Sequence, residues 1–237
     1  MTTKKKIFVA IAAFASAVVL VVVSVLATVA YLTSSAAVSN VFTIGNTSII
    51  MNESKVTPEG VIVEGAGRVD TNTYNLVPNK TYSKDPIITV KAGSEASYLF
   101  VLVRNDIEKI EDDQKTTIAE QLQANGWVVY TTASTGKVYV YTGSTTGVLA
   151  DDAQAVGGLD VTTDVQYKLF ETFSIDPEAK CDAYGAAKIT LTAVAIQTSG
   201  FGEVGKKTSL DAAWAAVIAT YPYIHTGNTE QGGGAQA

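Results

Sequence analysis

The stretch SYLFVLVRND, residues 97–106, is apolar at every position from Tyr98 to Val103. Successive side chains of a strand point to opposite faces of the sheet. A strand apolar on both faces needs cover on both, so this segment reads as a central strand between two layers. No other segment restricts the possible folds as tightly.

The surrounding chain supplies further strands. NVFTIGNTSIIM alternates at Phe42 and Ile44, breaks at Gly45-Asn46 and resumes at Ile50. DPIITVKAG is a short strand between Pro86 and Gly93. GWVVYTTASTGKVYVYTG reads as two strands around a Ser-Thr-Gly turn. DVQYKLFETFSI places Val165, Tyr167, Leu169, Phe173 and Ile175 on one face of one strand. In AAKITLTAVAIQTSGF, Ile189, Leu191, Ala193 and Ala195 share a face.

Two helices interrupt the strands. In EDDQKTTIAEQLQANGW, Asp112 or Asp113 is expected to cap a helix carrying Gln114, Ile118 and Leu122, with Asn125-Gly126 as its stop. In TSLDAAWAAVIATYP, Thr208 and Asp211 have capping-box spacing. Leu210, Trp214, Val217, Ile218 and Tyr221 form a stripe that packs on the sheet, and Pro222 ends the helix. The expected fold is mainly β: a jelly-roll-like antiparallel β-sandwich with two short helices, spanning residues 31–225. There is no internal repeat. The Gly-rich polar tail, residues 226–237, has the composition of disorder.

A length of 237 residues with 47% hydrophobic residues supports one sizeable core. The net charge is −6, from 17 basic and 23 acidic residues. An acidic body lacks the basic patch that nucleic acid requires. With a single cysteine, Cys181, no intramolecular disulfide is available, so the core alone must hold the fold.

The N-terminus starts with MTTKKK and continues as IFVAIAAFASAVVLVVVSVLATVAYL. The run is long enough to span a bilayer. It also ends in Thr28-Val29-Ala30, the small-x-small pattern of a signal-peptidase site. The lysines favour a cytoplasmic N-terminal flank. Both readings export the body. We read residues 1–30 as a signal peptide cut between Ala30 and Tyr31; an uncut membrane anchor is the alternative.

Few residues of the chain offer chemistry. The lone histidine, His225, sits at the start of the tail, and neither His-Glu-x-x-His nor a Gly-x-Ser-x-Gly elbow occurs. Gly65-Ala66-Gly67 lacks the third glycine of a phosphate cradle and reads as a hairpin turn. Acids at Glu108, Glu111, Asp112 and Asp113 suit a helix start; these and Asp151-Asp152 leave calcium open, although no EF-hand spacing occurs. A carboxylate pair assembled from distant parts of the chain also stays open. Asn46, Asn52 and Asn79 fit the glycosylation pattern. Tyr139 and Tyr141 read as sheet packing. The expectation is a protein that is not an enzyme and holds no cofactor or metal.

Several of these segments carry a resemblance. Ala30, Tyr31, Thr33-Ser34-Ser35 and Asn40-Val41-Phe42-Thr43-Ile44-Gly45-Asn46 resemble the start of the TasA/camelysin family. That start is a small-residue cut site, an aromatic, a short polar bridge and a strand of the type N-x-F-x-x-G-N. YNLVPNKTYSKDPIITVKAGSEASYLFVLVRND resembles a second family block, and AVAIQTSGF a late strand. The resemblance implies export through a SipW-type signal peptidase of Gram-positive bacteria. It implies a jelly-roll subunit of extracellular biofilm matrix fibres. The family also carries a metallo-endopeptidase label through camelysin, for which this sequence shows no ligand cluster. The bridge departs as well: Thr33, Ser34 and Ser35 stand where aspartates are frequent.

The segment after the cut is small, uncapped and tolerant of extension, with Tyr31, Leu32, Val38 and Val41 as its apolar points. Freed by cleavage, residues 31–41 are suited to add a strand to a neighbour's sheet edge. Head-to-tail pairing of that kind propagates as a filament. The expected function is therefore a secreted homopolymeric fibre subunit, touching membrane only through an uncleaved leader. The alternatives are a flexible spacer on a tethered adhesion or binding domain, and a camelysin-type protease.

Overall fold

The computed structural model describes residues 34–36, 39–146, 149, 162–222 and 224. The leader, Asp151-Asp152, His225 and the tail lie outside the described residues. In chain order the strands are β1 (Ser34–Ala36), β2 (Ser39–Ile44), β3 (Ile49–Ser54), β4 (Arg68–Val69), β5 (Thr73–Tyr74), β6 (Thr81–Ser83), β7 (Ile87–Val90), β8 (Ser97–Asn105), β9 (Trp127–Ala133), β10 (Gly136–Tyr141), β11 (Val165–Lys168), β12 (Thr172–Ser174) and β13 (Ile189–Gln197). Helix α1 (Ile118–Ala124) lies between β8 and β9, and α2 (Lys207–Thr220) follows β13.

The strands form a five-stranded sheet, β2-β13-β8-β10-β9, and a four-stranded sheet, β11-β7-β3-β4. There are two further short ribbons, β1-β5 and β12-β6, from which Tyr74, Tyr82 and Phe173 enter the core between the sheets. This is the expected mainly-β sandwich. SYLFVLVRND is its central strand: Leu99, Val101 and Val103 enter the core between the sheets, and Tyr98, Phe100 and Leu102 enter a second core beneath α2. β13 splits in the same way, with Leu191, Ala193 and Ala195 on one side and Val194 and Ile196 on the other. The molecule is thus layered as sheet, sheet and helix.

Helix α2 seals the outer layer with Leu210, Ala213, Trp214 and Val217. The Trp214 ring lies 4.9 Å from Phe100 and 5.8 Å from Tyr130. Ile218 and Tyr221 of the expected stripe are half-buried at its margin. The helix start differs from expectation. Lys206 is the N-cap and makes no side-chain cap bond, so the Thr208 and Asp211 capping box does not form. Asp211 instead accepts from Lys207 Nζ at 2.7 Å and Tyr130 Oη at 2.8 Å, tying the helix to β9.

Helix α1 also begins later than expected. The cap is Thr117, four residues beyond Asp113: its hydroxyl accepts from Glu120 N, and Glu120 accepts from Thr117 N at 2.8 Å. This reciprocal box outcompetes Asp112, whose carboxylate is used by Gln114 N in the preceding turn. Asn125 and Gly126, at φ +85°, end the helix as expected.

DVQYKLFETFSI is not one strand. β11 joins β7 and β12 joins β6, with Leu169 and Phe170 both buried at the break. The break is held from outside: Gln121 Oε1 of α1 accepts from Glu171 N and Thr172 N. Of the shared face, Val165 is exposed and Tyr167 half-buried, while Leu169, Phe173 and Ile175 are buried. Cys181 is a buried core residue.

A polar network fastens β3 to β4. Arg68 donates to Asn52 Oδ1 at 2.6 Å, to the Asn52 and Asp85 carbonyls, and to Asp85 Oδ2 at 3.1 Å. Asp85 also accepts from Ser54 N at 2.6 Å and Ser54 Oγ at 2.8 Å. Partial burial works against the Asp85 charge, but the Ser54 and Arg68 hydrogen bonds outweigh it and hold its carboxyl below the usual range.

Two consequences are measurable. Trp214→Ala is expected to cost about 3–5 kcal/mol in chemical denaturation, since it opens a cavity between α2 and the sheet. A depressed folded pKa gives stability that is present above the unfolded pKa and lost as pH falls through the folded one. Asp85→Asn is therefore expected to cost about 1–2 kcal/mol at neutral pH, a value at the lower end because the pair is partly exposed. Its deficit relative to the parent should shrink in acid, below the usual carboxylate range.

Candidate functional site: the N-terminal strands and the edges they cover

The segment that follows the cut motif is built into the chain's own sheets where it is described. β1 pairs antiparallel with β5, placing Ser34 opposite Tyr74 and Ala36 opposite Thr73, with an irregularity between them. β2 pairs with β13 from Ser39 opposite Leu191 to Ile44 opposite Ile196. That ladder is parallel, whereas every other ladder among the described residues is antiparallel. β2 is an edge strand of the larger sheet.

Register decides what β2 contributes. Phe42 and Ile44 stand beside Val194 and Ile196, so they join the core under α2. Val41 stands beside Ala193, on the side of the inter-sheet core, yet is 41% exposed. Beyond its ladder, β2 is clamped by Tyr221. That ring lies 4.8 Å from Phe42, and its hydroxyl donates to the Thr43 carbonyl at 3.2 Å. The strand leaves the sheet at Gly45, whose φ of +88° suits glycine. A Cβ there would fall 2.1 Å from Gln197 Oε1, the atom that accepts from Asn46 N.

Of the residues expected to act in cleavage and assembly, Val41 is placed on this edge. Ala30, Tyr31, Leu32 and Val38 lie outside the described residues. The register and the parallel sense of β2 carry no local sequence signal, because a parallel partner 150 residues away leaves no turn motif to read.

The carboxylates gather beside a cleft of about 380 Å³ lined by Glu108, Glu111, Asp113, Lys137 and Tyr139. Burial pushes the Glu111 carboxyl above its usual range. Its oxygens are committed to structure: one accepts from Ile118 N at 3.0 Å, the other from Asn105 Nδ2 at 2.8 Å. Glu111 thus anchors the start of α1. Glu108 is paired with Lys137 at 2.6 Å. Among the described residues no group of three or more potential ligands could hold a metal ion. Of the glycosylation-pattern asparagines, Asn46 and Asn79 are exposed, while the Asn52 side chain is bound to Arg68.

Compared with known proteins, the chain matches no family model, no curated protein and no solved structure.

The geometry ranks the strands by hold. In hydrogen exchange, β8 amides should be the best protected and β2 amides among the least. Tyr221→Ala removes both the ring contact and the Thr43 hydrogen bond. It is expected to raise exchange in β2 at least several-fold while leaving β8 unchanged; equal acceleration in both would contradict a separately held edge.

Proposed function

We propose that this chain is an exported structural subunit that polymerises by exchanging its N-terminal strands between neighbours. The observation that carries the reading is the position of β1 and β2. They directly follow the cut motif, occupy sheet margins, and connect to the sandwich through the Gly45-Asn46 turn.

In a single chain these strands cover their own β5 and β13. Assembly therefore proceeds by exchange: one subunit's strands leave, and a neighbour's take the same places. Exchanged contacts repeat the internal ones, so the exchange costs little beyond the loss of freedom on association. If each subunit gives to one neighbour and receives from another, the chain of subunits stays open and grows as a filament. An uncut leader would hold the donor segment at the membrane, which makes cleavage after Ala30 the step that permits growth. The resemblance of residues 27–49 to the TasA/camelysin family supports the same reading: a biofilm matrix fibre released by a SipW-type peptidase.

The test compares protein starting at Tyr31 with protein lacking residues 31–40. The first is expected to form filaments by negative-stain electron microscopy. The second should remain folded by circular dichroism and form none. Filaments from the shortened protein, or a strictly monomeric full segment at high concentration, would refute strand exchange. Casein cleavage blocked by a chelator would instead favour the protease.

A further inference from the structure

Three polar side chains stand where the strand pattern calls for apolar ones. In β3, Ile49, Met51 and Glu53 share the inward phase. Tyr82 and Lys84 share it at the end of β6, and Asn72, Tyr74 and Leu76 share it through β5. Glu53 and Lys84 are each 1% exposed, and Asn72 is 6% exposed. Around them, Tyr74, Tyr82 and Phe173 pack ring against ring at 5.0 to 5.9 Å.

The three groups meet on one carboxylate. Lys84 Nζ donates to Glu53 Oε2, and Asn72 Nδ2 donates to Glu53 Oε1 at 2.9 Å. The Asn72 amide is oriented from its other side as well: Oδ1 accepts from Val56 N at 2.9 Å, and Nδ2 also donates to the Ser54 carbonyl at 2.8 Å. Among the described residues, Glu53 is the one side-chain hydrogen-bond partner of Lys84 Nζ. A buried ion pair whose ammonium has a single acceptor is a poor source of stability, since desolvation of both charges offsets their attraction. Burial lowers the proton affinity of Lys84, with Glu53 pulling the other way.

We propose that Lys84 and Asn72 join in an intramolecular isopeptide bond, formed within the chain by Glu53 with loss of ammonia. The ammonium first passes a proton to Glu53, leaving a neutral amine. Its lone pair attacks Asn72 Cγ, and the negative charge that develops on Oδ1 is met by the Val56 N–H, the role of an oxyanion donor. Protonated Glu53 gives its proton to Nδ2 as the Cγ–Nδ2 bond breaks. Ammonia departs, and the carboxylate then takes the surplus proton from the new amide nitrogen. One C–N bond forms and one breaks, with no change of oxidation state and no co-reactant. Glu53 bridges the attacking and leaving nitrogens, which is the placement a general base and acid requires. The product replaces a buried ammonium by a neutral amide. This inference is independent of strand exchange.

Peptide mapping of the purified, folded protein tests it. The expected result is a branched peptide joining the segments around Asn72 and Lys84, one ammonia lighter than their sum, with trypsin unable to cut after Lys84. Glu53→Gln and Lys84→Arg should each yield the full mass with linear peptides only. Glu53→Gln keeps the site nearly isosteric, and its fold is checked by circular dichroism. Linear peptides from the parent protein would overturn the proposal, whether or not either variant folds. So would an ammonia loss located on a single linear peptide. A branched peptide that persists in Glu53→Gln would overturn the role of Glu53.

Discussion

Everything in this fold depends on a single strand being buried on both faces. Tyr98 to Val103 are each 5% exposed or less. Burying side chains of this size contributes about 1.5–3 kcal/mol each, and the contribution exists only if both covering layers are present. The four-stranded sheet and α2 are therefore not independent additions. Each completes one side of β8, and β13 repeats the arrangement next to it. With the middle fixed in this way, conformational freedom is confined to the margins of the sheets.

The N-terminal strands lie at those margins. β2 completes the sheet beside β13 but brings one ladder, two half-buried side chains and the Tyr221 clamp. β13 is buried on both faces, so without β2 it would present a largely apolar edge with open backbone groups. Such an edge is a strong acceptor for any extended segment. An edge of this kind is covered within the subunit or between subunits, and the physics of the contact is the same in either case. What distinguishes β2 from other edge strands is its proximity to the small-x-small motif, which ends nine residues before Ser39 begins it.

Much of this was legible in the residues. Strand signals mark β2, β7, the unbroken apolar run of β8, the β9–β10 hairpin and β13, because a half-buried or fully buried strand writes its environment into its own side chains; β3 is marked too, but Ile49 and Met51 face inward and Ile50 is exposed. Alternation failed over 165–175, where it continues by chance through a break fixed by Gln121 from a distant helix. The start of α1 is obscured because two acceptors compete for it, whereas α2 starts from Lys206 with no side-chain cap at all. The Thr117-x-x-Glu120 spacing was present in the sequence and marks the true cap of α1, while Asp112 offered only proximity. The short ribbons β1, β5, β6 and β12 have two or three residues each, too few to show any period. The polar triad was not legible: alternation resuming at Ile50 puts Glu53 in the outward phase, whereas the structure turns Ile49, Met51 and Glu53 inward. The convergence of Glu53 and Lys84 with Asn72 was not legible either, since it depends on how three ribbons are brought together.

The triad and the N-terminal segment also meet in space. Asn72 directly precedes β5, the strand on which β1 pairs, and Lys84 directly follows β6, which is anchored to β12. In a filament built by strand exchange, tension along the axis enters each subunit through the strand that receives its neighbour's segment. A two-residue β5 is held by its short ladder and by the Tyr74 ring packed on Tyr82 and Phe173. A covalent link from Asn72 to Lys84 closes the chain on both sides of β5 and β6, so the pull is transferred to the β6–β12 ribbon and the core beneath it. Under the proposed strand exchange, the polar residues in that core would trade a little equilibrium stability for resistance to extension, a property that a filament subunit would need.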